Sequence, residues 1–196
     1  MSELHTLSAA ELGPLFRSHA LSPVEVLQAV AVHIARWEPH LQATWALDLG
    51  AAQAQALASQ ARWRRGEPLS PLDGVPLTLK ENIATRGLPL PLGTAATELV
   101  PALHDAPPAA RLREAGAVLL GKTTMPDYGM LSSGLSSFHA LQGRLTRNPW
   151  DLRKNPGGSS AGAGAAAAAG YGPLHLGTDI GGSIRLPAAW CGVVGF

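Results

Sequence analysis

Two glycine-serine turns stand out between Pro156 and Phe196: Gly157-Gly158-Ser159-Ser160 and Gly181-Gly182-Ser183. An alanine-rich run and a short apolar segment join them, and the whole stretch carries almost no charge. Glycine lets a backbone turn sharply and come close to a ligand. Serine supplies a nucleophile or a proton relay. Serines beside paired glycines therefore point to chemistry on a carbonyl group. Upstream, the short apolar run Val75-Pro76-Leu77-Thr78-Leu79 ends in a lysine, an acid and an amide, Lys80, Glu81 and Asn82.

Two other motifs overlap the first turn. Gly158-Ser159-Ser160-Ala161-Gly162 satisfies the G-x-S-x-G nucleophile elbow, with Ser160 as nucleophile. That arrangement requires an acid and then a histidine along the chain. Here His175 precedes Asp179, no histidine follows, and no β-branched strand leads into the turn. Gly162, Gly164 and Ala167 fit a dinucleotide fingerprint, but it follows a proline-glycine turn rather than a strand and carries little weight.

Composition bounds the class of molecule. The 196 residues are 46% hydrophobic and only 15% charged, as expected of an enclosed α/β interior. A net charge of +1 gives no reason to expect nucleic acid or an anionic membrane as a partner. The single cysteine, Cys191, forms no internal disulfide, so a reducing cytoplasm is the default. The start of the chain has neither a basic nor an apolar signal region. The uncharged run from Asn155 to Thr178 is mostly Ala and Gly, is broken by Pro156 and Pro173, and contains His175, which argues against a membrane span. The seven histidines are scattered, and no H-x-x-x-H or C-x-x-C pair marks a metal site. No metal and no cofactor are expected.

The elements that position these residues follow from local signals. Ser8-Ala9-Ala10-Glu11 and Ser22-Pro23-Val24-Glu25 are capping boxes that open helices at about 8–19 and 22–37. The second places Val24, Leu27, Ala31 and Ile34 on one face. Thr44 to Leu49 reads as a short strand, Ala51 to Arg65 as a helix, and Pro68 to Gly74 as a loop. Leu88 to Gly93 is irregular. Pro107 to Ala115 is a helix leading through Gly116 into a buried strand at Ala117 to Gly121, which ends at Lys122, a surface or structural lysine. Met130 to Arg153 is mostly loop. The alanine run is a tightly packed helix with Ser160 at its N-cap, and Cys191 is a small core residue.

At this point the sequence resembles the amidase signature family. The resemblance rests on Gly157-Gly158-Ser159-Ser160-Ala161-Gly162, on Gly177-Thr178-Asp179-Ile180-Gly181-Gly182-Ser183-Ile184-Arg185, and on Pro187 through Gly195. Asp73-Gly74-Val75-Pro76 with Lys80-Glu81-Asn82 looks like the family's lysine segment. Gly121-Lys122-Thr123-Thr124-Met125-Pro126 looks like a further block, with Thr124 where asparagine is commoner. Ala161 replaces a usual glycine and is harmless in a first helical turn.

The resemblance implies an α/β fold with a mixed central sheet and helices on both faces, apparently truncated at the C-terminus. Residues 1–196 would be the N-terminal portion of one amidase domain, with a helical region to about 66 and a catalytic core portion from about 67. It implies a Ser-Ser-Lys triad: Lys80 as base, Ser159 as relay after a cis Gly158–Ser159 peptide, and Ser183 as nucleophile. The backbone N–H groups of Ile180, Gly181, Gly182 and Ser183 would form the oxyanion hole, with a helix opening at Ile184. Ser160, Asp179 and Arg185 would support the turn. The implied function is hydrolysis of a carboxamide C–N bond in a small-molecule substrate through an acyl-enzyme. The alternatives are a glutamine amidotransferase A-type subunit supplying ammonia for tRNA amidation, and an inactive amidase-like fragment. The implied assembly is a homodimer or a complex with amidotransferase subunits.

Overall fold

The structure, a computed structural model, describes residues 4–196. Both capping boxes form. Ser8 and Glu11 open helix α1 (Ala9–Arg17), and Ser22 and Glu25 open helix α2 (Pro23–Leu41). In each, the serine accepts the N3 backbone N–H and the glutamate accepts the serine's own N–H. Helix α2 runs past the predicted end at 37, because Pro39 falls in the last turn and Gln42, in the left-handed region, closes the helix at Leu41. Its buried stripe is Val26, Leu27, Val30 and Ile34, with Val24 and Ala31 half-buried at the margin.

Strand β1 is only Thr44–Trp45, shorter than predicted. Helix α3 (Leu49–Arg64) starts two residues before the predicted point, because Asp48 accepts the N–H of Ala51 as its cap. Strand β2 (Pro76–Lys80) forms on the apolar run that ends in Lys80, helix α4 (Pro107–Glu114) falls one residue short of its predicted end, and strand β3 (Val118–Thr123) runs two residues past its predicted end at Gly121. The 130–153 segment is mostly loop, with one short helix, α5 (Ser137–Ala140). The alanine run forms α6 (Ala161–Ala168), with Ala161 as its first residue. Strand β4 (Leu174–Leu176) and helix α7 (Arg185–Cys191) follow it.

The four strands lie in the order β1-β3-β2-β4. Strands β3, β2 and β4 run parallel and β1 is antiparallel to β3, so the sheet is mixed. Side chains alternate across it. Val75, Val118 and Leu120 share a core with Val26 and Val30 of α2, Trp63 of α3, Ala165 of α6 and Tyr171 just beyond α6. Leu77, Leu79 and Leu119 pack on the other face against Ala109 and Leu112 of α4. Helices therefore cover both faces, as the resemblance implied. Lys80 alternates with Leu79 and so lies on the α6 side.

Small residues bring α6 against the end of the sheet. A side chain added at Gly162 would collide with the Ala43 carbonyl and the Thr124 nitrogen, and the Gly162 N–H donates to Thr124 O at 3.0 Å. This close approach sets Ser159 and Ser160, just before α6, beside the C-terminal end of β2. Beside β4, an apolar groove of ≈ 380 Å³ is lined in part by Leu174, Leu176, Val193, Val194 and Phe196. Among the described residues, no helix is long and apolar enough to cross a membrane.

Candidate active site

Lys80, the last residue of β2, is 1% exposed. Its Nζ lies 2.8 Å from Ser159 Oγ and 3.0 Å from Thr178 Oγ1, with the Thr178 carbonyl at 3.4 Å. Asn82 Nδ2 donates to Thr178 Oγ1 at 3.1 Å. Burial pushes the Lys80 ammonium down to about 8, against the charges of Glu81 and Asp179, which pull it up. A neutral amine at this position can accept the Ser159 proton along the 2.8 Å contact.

Ser159 follows a cis Gly158–Ser159 peptide and is itself buried. A Cβ at Gly158 would stand 2.5 Å from the Leu131 carbonyl, so only glycine fits there. Lys80, Asn82, Gly158, Ser159, Thr178 and the Ile180–Ser183 turn line one cavity of ≈ 350 Å³, whose opposite wall is the 128–132 segment.

Ser183 borders this cavity and its carbonyl accepts the Ser160 N–H at 2.9 Å. The Ser183 hydroxyl makes no hydrogen bond to Ser159 or Lys80 among the described residues. The structure thus joins the base and relay candidates directly and sets the nucleophile candidate at the edge of the same space. Catalytic hydrogen bonds commonly tighten only when substrate binds.

The 179–185 turn is organised by one carboxylate. Asp179 accepts the N–H groups of Gly182 (2.7 Å), Ile184 (2.9 Å) and Arg185 (3.2 Å), and it pairs with the Arg185 guanidinium at 2.9 Å. The Arg185 side-chain hydrogen bonds hold its carboxyl well below the usual range. Asp179 thus holds the 179–185 turn by hydrogen bonds to its backbone and to Arg185. The Gly182 N–H is already committed to Asp179, which narrows the predicted oxyanion donors to Ile180, Gly181 and Ser183. Among the described residues, these three donate to no protein acceptor. The helix after the turn starts at Arg185, with Ile184 as its cap residue.

Two other expectations change. Ser160 occupies the N-cap position of α6, but its hydroxyl makes no capping bond. Its Oγ donates to the Thr178 carbonyl at 3.2 Å and accepts the Thr178 N–H at 3.3 Å, stitching the two glycine-serine turns together. Lys122 is structural and not at the surface. It is 1% exposed, and it donates to Ile83 O and, at 2.8 Å, to Thr85 Oγ1. Burial lowers it to about 8, while Glu81 and Asp105 pull it up. The elbow reading fails on His175, whose ring nitrogens meet Thr78 Oγ1 at 2.8 Å and Gly172 O at 3.1 Å. Cys191 is a core residue, and burial raises its thiol to about 11. Among the described residues, no group of three or more His, Cys, Asp or Glu side chains could hold a metal ion.

The sequence did not reveal the roles of Thr178 and Asn82. Thr178 lies inside the quoted block, but only the parallel pairing of β2 with β4 brings it to Lys80. The buried pair of Glu81 and His139 was also missed.

Comparison with known proteins gives the family. The amidase family profile matches residues 25–196. The chain is 43% identical over 195 residues to the A subunit of the glutamyl-tRNA(Gln) amidotransferase from Roseiflexus castenholzii. It is 45% identical over 192 residues to the corresponding protein, of the same name, from Symbiobacterium thermophilum. The match covers 100% of this chain and 39% of the first relative, and 96% of this chain and 38% of the second, so the chain spans about two fifths of the length of the curated relatives it matches. Among solved structures, it superimposes on a peptide amidase in complex with chymostatin with a TM-score of 0.86 and 34% identity, covering 96% of this chain and 39% of that one. A bacterial aryl acylamidase gives 0.84 and 35%, covering 96% of this chain and 38% of that one.

Proposed function

The chain belongs to the amidase family, and on that premise we propose that it carries the nucleophilic site of an enzyme that hydrolyses a carboxamide C–N bond. The observation that carries this reading is the buried 2.8 Å contact between Lys80 Nζ and Ser159 Oγ, on the same cavity as Ser183.

In this reading the neutral Lys80 amine takes a proton from Ser159, which takes one from Ser183 as its oxygen bonds to the amide carbon. The carbonyl π-electrons move onto oxygen, and the backbone N–H groups of Ile180, Gly181 and Ser183 receive that charge. Collapse re-forms the carbonyl and breaks the C–N bond. The departing nitrogen takes the proton back through Ser159, and the acyl group stays on Ser183. Water then attacks the ester by the same relay and releases the acid. Thr178 holds Lys80 in place throughout, and Asp179 with Arg185 keeps the turn in shape. The substrate is a small-molecule amide, and the free Cys191 thiol fits a reducing cytoplasm.

The test is phosphonylation of the full-length protein by a fluorophosphonate, with the adduct mapped by peptide mass spectrometry. Label on Ser183, lost in Ser183→Ala, is the expected result. Label that persists in Ser183→Ala identifies another nucleophile and overturns the assignment. A second reading draws on the identity to amidotransferase subunits. In it the same site releases ammonia from glutamine within a complex that amidates tRNA. Co-purification with partner subunits, and glutaminase activity that depends on them, select this reading over a free-standing amidase.

A further inference from the structure

The most enclosed carboxyl–imidazole pair in the described chain plays no part in the proton relay above. Glu81, the residue after Lys80, is 0% exposed, and its partner His139 is 2% exposed. Glu81 Oε2 accepts from His139 Nε2 at 3.0 Å, and Oε1 accepts the Met125 N–H at 3.1 Å. The Glu81 N–H donates to Thr123 O at 3.0 Å. A buried polar pair is a weak stabilising device, often no better than apolar side chains of the same volume. What this pair joins therefore matters more than what it contributes to stability.

It joins the base to the cavity wall. Met125 opens the segment that reaches Gly129, and a Cβ at Gly129 would stand 3.3 Å from Ser159 Oγ. His139 sits on α5, whose cap Ser136 donates to Gly93 O at 2.6 Å and accepts the His139 N–H at 3.1 Å. Its ring meets Trp45 of β1 at 6.2 Å and Phe138 at 5.0 Å, both edge-on. One carboxylate thus fixes the end of β2, the segment against Ser159, and α5.

We propose that Glu81, held by His139, is a positioning residue for Lys80: it sets where the base meets Ser159 and supplies the negative charge against which the base titrates. This rests on the function proposed above. The charged or titratable groups facing Glu81 are Lys80 from β2, Lys122 from β3 and His139 from α5. Those acting on Lys80 are Glu81 and Asp179. Ionised, both carboxylates favour the ammonium form of Lys80 against burial; burial raises the Glu81 carboxyl itself, and the His139 hydrogen bond, the Met125 N–H and the Lys122 charge act to keep it ionised. Removing the Glu81 charge makes Lys80 easier to deprotonate and moves the acid limb of its activity to lower pH.

The test is the rate of fluorophosphonate labelling at Ser183 of the full-length protein, followed against pH. Glu81→Gln should move the midpoint of the acid limb down by about one pH unit, the usual effect of a nearby charge. Glu81→Asp keeps the charge and should keep the wild-type midpoint. Glu81→Ala also releases Met125 and should lower the plateau by about 100-fold, the scale of an ångström's misplacement. A Glu81→Gln midpoint at the wild-type position overturns the proposal, as does a Glu81→Ala plateau within about twofold of wild type. If Glu81→Ala fails to fold, the Glu81→Gln midpoint decides. Wild-type protein that takes no label at Ser183 overturns the function and this inference together; labelled wild type with an unmoved midpoint overturns this inference alone.

Discussion

Replacing Lys80 with methionine separates what the base does for chemistry from what it costs the fold. The Lys80 ammonium falls from an ordinary 10.5 to about 8. That drop makes the charged form about 3 kcal/mol less favourable in the fold than in water. Lys80 is 1% exposed, so solvent screening does not reduce the figure much. The pH window follows from the two values. Below about 8 both folded and unfolded chains are protonated, and the folded state bears the whole penalty. Between about 8 and 10.5 the folded state gives up its proton first, so stability rises with pH; above that the penalty is gone. Methionine has similar length and no charge. It leaves Ser159 Oγ and Thr178 Oγ1 without the amine, a loss of about 1 kcal/mol each, and Thr178 keeps Asn82. At pH 7, Lys80→Met should therefore be more stable than wild type by about 1 kcal/mol, with the gap closing near about pH 9 and reversing to favour wild type by about 1–2 kcal/mol at pH 10. Labelling of Ser183 should fall by about 1,000-fold with the base gone. Urea unfolding at pH 7 and pH 10, beside fluorophosphonate labelling, measures both. A destabilisation above about 2 kcal/mol at pH 7 would refute the burial argument, and wild-type labelling would refute the role of the base.

Two further substitutions test how the site is held. Asp179→Asn keeps an acceptor but loses the ion pair with Arg185 and its charge toward three backbone N–H groups. It should slow Ser183 labelling by about 10- to 100-fold through a disordered donor turn, with little change in the urea midpoint. Gly162→Ala forces a methyl into the Ala43 carbonyl and the Thr124 nitrogen. It should destabilise the fold by about 3 kcal/mol or more, beyond ordinary overpacking, seen as a lower melting temperature.

Much of this was legible in the sequence where the signals are local. The capping boxes at Ser8 and Ser22 fixed two helix starts, because a serine and a glutamate three residues on satisfy each other's backbone donors. Strand β4 was not legible. It is three residues long with no β-branched side chain, and only pairing with β2 makes it a strand. The glycine-serine turns were readable as candidate chemistry because residue type and spacing carry that information, whereas Lys80 was picked out by the family resemblance. Thr178 meets Lys80 across 98 residues and His139 meets Glu81 across 58, contacts that topology alone creates. Lys80 and Lys122 both sit at the ends of apolar strands and look alike in sequence. Strand register separates them: Lys80 pairs with Thr123 and Lys122 with Leu79, which puts their side chains on opposite faces. Only one of those faces carries Ser159. No local pattern in the sequence says that Asp179 takes the N–H of Gly182 and so removes it from the four backbone donors the resemblance implied.

The central claim is that an uncharged lysine draws protons through Ser159 so that Ser183 can attack. The labelling rate of Ser183 between pH 6 and pH 10, approximate limits chosen to bracket the shifted amine, tests it most directly. The expected profile is a single ionisation near 8, with the rate falling tenfold for each pH unit below it, and no such limb in Lys80→Met. A rate that is flat across this range, or one still climbing toward an ordinary lysine value of 10.5, would contradict it.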